Sequence, residues 1–388
     1  MLPKSGLFDF YSPTKVKFEA GSAKKLGNLI SGFGTRFLIV NIRKDDQNPS
    51  GLVGLYDSLS SVSGGCVIYD ELIGDPDTEQ VDSATYFSAR SHADCIVAYG
   101  GIDSINTAKA ISLLVTNSIF SADLLTKPVE SLNPPLPLVV IPTEPTLGEE
   151  LSSYFTLVDA EDSTRKSFST ELTFPKACFY DTTLSNYITK NEAGKIGGAL
   201  LSYSIERFFS PGSNVAVDTL LLQILRLMNG SILEYYNDPG HEKATRNIYW
   251  SSMMTGLTLM SSPNGLNWVL AQVLSARTQL DYHQALALML PYVMEFYLTT
   301  CSEKYVQISH AFNLDRSGLS IIESAIQLIE FIRNLFSDLN LPSRLSEFYI
   351  TKQQVHELAT SAAKYPQLAN SPRKLGADEI ESILLTAI

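Results

Sequence analysis

Four short, unbroken apolar runs constrain this chain most: Phe37 to Val40, Cys66 to Tyr69, Cys95 to Ala98 and Leu138 to Ile141. A strand with one wet face alternates apolar and polar residues, whereas a strand covered on both faces reads as a continuous apolar run. Segments with helical spacing, such as 78–91 and 104–115, lie between these runs. The pattern is βαβ, which predicts an α/β domain with a parallel Rossmann-like sheet and right-handed crossovers. Ligands of such sheets sit where strands end and helices begin.

From about Asn191 onward the period changes. Apolar residues recur at three and four positions in 218–228, 282–296 and 319–335, so the second half reads as helices throughout. Its predicted breaks are Ser210-Pro-Gly-Ser213, Asn237-Asp-Pro-Gly240, Ser262-Pro-Asn-Gly265 and Leu341-Pro-Ser343. The expected domains are 1–185, α/β and nucleotide-binding, and 186–388, all-helical, with an active-site cleft between them. No internal repeat or low-complexity segment interrupts them.

Charge narrows the partners. With 29 Lys+Arg against 41 Asp+Glu the 388 residues carry a formal net charge of -12 and no basic run, which argues against nucleic acid and anionic membranes. Cys66, Cys95, Cys178 and Cys301 lie too far apart for a disulfide framework or thiolate zinc site, as fits a reducing cytoplasm. The first residues lack the apolar core of a signal peptide, and no run reaches the ~18 apolar residues that span a bilayer. The partner expected is a small-molecule substrate or ligand. An edge strand near the N-terminus allows a homodimer.

The strand 94–99 runs into Gly100-Gly101-Ile102-Asp103-Ser104-Ile105-Asn106-Thr107-Ala108-Lys109. Glycines let backbone N–H groups approach a pyrophosphate, and a helix N-terminus adds partial positive charge. Alone, the segment fits a nucleotide site or a plain tight turn. A second loop, Ile141-Pro-Thr-Glu-Pro-Thr-Leu-Gly-Glu-Glu150, ends the next strand at the same sheet edge.

With these two loops the chain resembles the iron-containing (group III) alcohol dehydrogenases, in the superfamily that includes glycerol dehydrogenase and dehydroquinate synthase. That family writes the first loop Gly-Gly-Gly-Ser-x-x-Asp-x-Ala-Lys, matched at Gly100, Gly101, Ala108 and Lys109. It writes the second Pro-Thr-Thr-x-Gly-Thr-Gly-Ser-Glu, matched at Pro142, Thr143, Gly148 and Glu150. Pro13-Thr-Lys15, Leu290-Pro-Tyr-Val-Met294 and Asn370-Ser-Pro-Arg373 echo further family segments in order. The resemblance implies a dehydroquinate synthase-like fold and NAD- or NADP-dependent interconversion of a small alcohol and an aldehyde or ketone.

It also implies a divalent metal, held by an Asp and a His four residues apart on one helix and by two further His about fourteen residues apart, that polarises the substrate oxygen. Aligned on Ser204-Ile-Glu206 and on Leu290 to Met294, these positions hold Ala199, Tyr203, Trp268 and Tyr282, and a further substrate-side His falls at Gln272. Ala199 and Trp268 offer no lone pair, and a tyrosine must lose a proton of pKa about 10 to ligate. No metal is therefore expected. Tyr203, Tyr282 and His283 are the candidate catalytic residues, with Trp268 and Gln272 in the substrate cleft. The plainer alternative makes Tyr203 and Trp268 cavity fillers and His283 a helix-start residue beside Asp281.

The cofactor loops depart in one direction. Asp103, Glu144 and Glu149 replace neutral residues, which places three carboxylates around the expected pyrophosphate and costs on the order of 1–4 kcal/mol each. The ribose-binding acid falls at Ile42, followed by Arg43 and Lys44, which suit either a 2′-phosphate or open solvent. Gly100, Gly101, Asp103 and Thr143 are the expected cofactor-loop residues. Arg165 falls near the nicotinamide ribose and Leu184 under its ring by the same resemblance. Hydrolase elbows, Walker loops and zincin motifs are absent from the sequence. Two readings remain: a divergent dehydrogenase that has lost its metal, and an inactive family scaffold that binds a small molecule or a partner protein.

Overall fold

The structure, a computed structural model, describes residues 10–42, 49–127 and 131–388. The chain divides into two compact units at Ile188/Thr189. In the first, β1 (Lys15–Phe18), α1 (Leu26–Ile30), β2 (Arg36–Ile42), α2 (Pro49–Ser60), β3 (Gly65–Leu72), α3 (Thr78–Ser91), β4 (Cys95–Gly100), α4 (Ile102–Asn117), α5 (Ser121–Thr126) and β5 (Leu138–Pro142) follow in order. The hairpin strands β6 (Tyr154–Val158) and β7 (Arg165–Ser169) and then β8 (Ala177–Tyr180) complete it.

Among the described residues six strands form one sheet in the order β1-β8-β5-β4-β2-β3, parallel throughout. Each of the four apolar runs lies inside a strand. Phe37, Ile39, Val97, Tyr99, Val139 and Ile141 share one face and pack on Leu26 and Ile30 of α1 and on Leu55 and Leu59 of α2. Each such fully buried side chain contributes about 1.5–3 kcal/mol, which is why the runs carry no polar residue. The strand order reverses between β2 and β4, so the ends of these two strands form the switch point where open α/β sheets take ligands.

The second unit is helical: α6 (Lys190–Phe209), α7 (Val215–Asn237), α8 (Glu242–Thr258), α9 (Leu266–Arg277), α10 (Tyr282–Tyr297), α11 (Ser302–Ala311), α12 (Ile321–Asp338), α13 (Lys352–Ala362) and α14 (Ala377–Thr386). Helix α6 opens with a capping box, Thr189 and Glu192 bonding reciprocally. The Gly and Pro breaks read from the sequence fall between helices.

Helix α7 corrects one expectation, being long and apolar enough by length and composition to cross a bilayer. It is amphipathic, packs on α6 and α8, and loses helical geometry at Asn229 and Gly230. All four cysteines are buried free thiols.

Candidate functional site

In the sheet unit the site begins where β4 ends. Gly100 has φ 151°, and a Cβ there would lie 2.8 Å from Ser104 Cβ and against its Oγ, so only glycine fits. Gly101 is the N-cap of α4, whose first N–H groups have no partner inside the helix. At the adjoining strand end, Asn41 Nδ2 donates to the Tyr99 carbonyl at 2.8 Å and the Ile42 N–H donates to Ser104 Oγ at 3.2 Å. Thr143 N–H donates to the Gly100 carbonyl at 3.2 Å, which docks the second loop beside the first. The two loops expected to share a crevice are therefore neighbours.

The three carboxylates do not act alike. Glu144 is half-buried, and its side chain lies over Gly101, with Cδ 2.8 Å from where a Cβ would stand. Asp103 is half-buried in the first turn of α4. Glu149 corrects the expectation: it is buried behind the loop, where its carboxylate accepts from the Leu147 N–H at 3.2 Å. Burial first, then the neighbouring Glu150, pushes the Glu149 carboxyl up to about 7. Glu150 is fully buried and accepts from the Tyr180 and Thr146 hydroxyls.

Lys109, matched by resemblance, proves to be a clamp. Fully buried, it donates to the carbonyls of Glu149, Ser152 and Tyr154 at 2.5, 2.6 and 2.8 Å. Burial pulls its ammonium below the ordinary lysine range while Glu149 and Glu150 push it back up. Three carbonyls match three N–H donors, so the group ties the strand after the second loop to α4.

Arg165, in β7, forms an ion pair with Asp75. Leu184 is mostly enclosed in the core with Tyr99, Ile141 and Phe179. Ile42 is buried at the end of β2, and Arg43 and Lys44 lie outside the described residues.

In the helical unit, α6, α9 and α10 pack on one another and carry the positions that the resemblance assigned to a metal. Ala199 and Tyr203 are fully buried and Trp268 is 1% exposed. The Tyr203 oxygen accepts from Asn264 Nδ2 at 2.9 Å, and Trp268 packs edge-on against Tyr365. These three are core residues, and Tyr203, at 0% exposure, is set apart from Tyr282 by a narrow margin. Tyr282 is 9% exposed, at the first turn of α10 beside the His283 ring. Gln272 is buried, and its Oε1 has no hydrogen-bond partner among the described residues.

His283 sits 3.9 Å from Asp281, which caps α10 through the N–H groups of His283 and Gln284. Burial pushes the Asp281 carboxyl up, yet His283, Lys195 and those N–H groups together hold it below the ordinary range.

Glu206 was not singled out as a site residue. It is buried, accepts from the N–H groups of Asn267 and Trp268 at the start of α9, and is pushed up to about 7 by burial. An acid buried in a helical apolar run was its only sequence signal.

The donor set does not fit the metal that the resemblance implies. Among the described residues no three His, Cys, Asp or Glu converge, and the assigned positions hold packed apolar and aromatic groups. The glycine turn offers the close backbone approach a pyrophosphate needs, and the Glu144 side chain lies over it at Gly101.

An open parallel sheet with a glycine turn at its switch point takes ligands at its strand ends. Residues 13–182 match the iron-containing alcohol dehydrogenase family, and 197–388 match the C-terminal domain of the same family. The chain belongs to the iron-containing alcohol dehydrogenase family. Among its relatives, sulfoacetaldehyde reductase of Bilophila wadsworthia is 23% identical over 390 residues, 97% of this chain and 98% of that protein.

The crystal structure of a 1,3-propanediol oxidoreductase matches with TM-score 0.93 at 20% identity, covering 98% of this chain and 100% of the other. That of sulfoacetaldehyde reductase from Bifidobacterium kashiwanohense in complex with NAD+ matches at 0.86 and 17%, covering 98% of each. The chain's relatives also include the NAD-dependent methanol dehydrogenase of Bacillus methanolicus, 22% identical over 385 residues, 98% of this chain and 100% of that protein.

Proposed function

We propose that this chain is an NAD(P)-dependent oxidoreductase that interconverts a small alcohol and its aldehyde or ketone without a bound metal. The observation that carries this reading is the Gly100-Gly101 turn at the switch point, docked to Thr143 and leading into α4. Bound NAD(P)H would supply the hydride. The chain's own part is to hold the carbonyl and deliver a proton to its oxygen.

Tyr282 suits that proton step better than Tyr203, because it keeps 9% exposure and lies beside His283 while Tyr203 has none. His283, backed by Asp281, would return the proton to Tyr282. The orphaned Gln272 Oε1 suits a substrate hydroxyl. The test is NADH or NADPH consumption with short aldehydes by protein stripped with EDTA. Turnover that persists in chelator supports the reading, and no saturable binding of either cofactor at millimolar concentration contradicts it.

A second reading, an inactive scaffold that binds a small molecule or partner, is favoured by the complete enclosure of Ala199, Tyr203 and Trp268. Turnover abolished by Thr143→Ala would dispose of it.

A further inference from the structure

A Cβ on Gly101 would meet three atoms of one side chain, the Oε1, Cδ and Cγ of Glu144. The place left open by the missing Gly101 side chain, at the N-terminus of a sixteen-residue helix, is thus taken by a carboxylate of the same chain. Such a helix start favours an anion, and this one has an anion in place.

The backbone cannot easily withdraw that carboxylate. Pro142 and Pro145 fix φ on either side of Thr143-Glu144, and the Thr143 N–H is bonded to Gly100. The remaining route is rotation of the Glu144 side chain, which is half-buried and therefore has solvent to turn into. Glu149 cannot substitute for it, being enclosed behind the loop.

We propose that Glu144 is a built-in occupant of the pyrophosphate position, so that a dinucleotide binds only after this side chain has swung off Gly101. The proposal rests on the dinucleotide reading of this turn. It makes Glu144 a determinant of cofactor affinity, acting by competition within the chain.

The experiment uses the full chain as wild type, Glu144→Gln and Glu144→Thr, each checked for a native circular-dichroism spectrum and titrated calorimetrically with ADP, NADH and adenosine. Both variants should bind ADP and NADH about tenfold or more tightly than wild type, a change of ~1.4 kcal/mol. Adenosine, which has no phosphate, should show no change. Equal ADP affinities in all three proteins, or no saturable ADP binding by any, would overturn the proposal. Tighter ADP binding by the variants without hydride transfer would leave it standing while defeating the oxidoreductase reading. Tight NADH binding and turnover by wild type, with no gain in either variant, would do the reverse.

Discussion

The ammonium of Lys109 donates to the carbonyl oxygen of Ser152 at 2.6 Å across forty-three positions of sequence. With its bonds to Glu149 and Tyr154 this makes α4 the anchor of the segment that runs from the end of the second loop into β6.

Lys109→Met keeps the stem's volume but removes the ammonium from three carbonyls, of which that of Glu149 retains the Ser152 N–H at 3.1 Å. It should cost about 3–5 kcal/mol in urea unfolding, the range for breaking one side of a buried charged network. Limited proteolysis should then cut within 149–154 first. A loss under ~1 kcal/mol would show that the clamp contributes little.

The two glycines of the turn should respond unequally to alanine. Gly100→Ala meets both a φ of 151° and the Ser104 Cβ, and should cost about 1–3 kcal/mol. Gly101→Ala meets only the far end of a side chain that can rotate, and should cost less than about 1 kcal/mol. Denaturant midpoints of the two variants check the order.

Glu206 gives the helical unit a pH dependence of definite sign. Burial raises its carboxyl from 4.5 to about 7, so the folded chain holds this proton more tightly than the unfolded one. The resulting stabilisation is complete below about 4.5 and is lost as pH rises through about 7. Glu206→Gln does not titrate, so the stability of wild type relative to this variant should fall by about 1–3 kcal/mol between pH 5 and 8. Urea midpoints across that range measure it, and a flat difference would contradict the assignment.

The sheet was legible because burial on both faces leaves an unbroken apolar run, and each of the four runs became a strand. The four-residue β8, Ala-Cys-Phe-Tyr, is a further run of this kind, buried at every position. The hairpin β6–β7 carries no such signature, and β7 reads Arg-Lys-Ser-Phe-Ser with every side chain at least partly exposed. The turn at Gly100-Gly101 was legible from local chemistry, and so was the placing of Glu144 near it. What Lys109 and Glu149 do was not, because their partners include backbone groups that only the folded loop brings within reach. The separation of Tyr203 from Tyr282 was hidden for a similar reason: both are tyrosines on helices, and only packing decides which one is enclosed.

That separation predicts different phenotypes. Tyr282→Phe removes the proposed proton donor and should lower kcat by about a hundredfold or more while leaving KM for the cofactor and the unfolding midpoint nearly unchanged. Tyr203→Phe removes the hydrogen bond from Asn264 and should instead cost about 1 kcal/mol of stability, with kcat little affected. Steady-state kinetics with thermal melts on both variants distinguish the two roles, and a larger kcat loss in Tyr203→Phe would reverse them.

By resemblance, the family's metal-ligand positions fall at Ala199, Tyr203, Trp268 and Tyr282. The most direct test is elemental analysis of the purified chain after incubation with excess ferrous iron or zinc and gel filtration. The expected result is neither ion in stoichiometric amount and an unchanged melting temperature. A full equivalent of either ion retained per chain, with a melting temperature that falls on chelation, would contradict it.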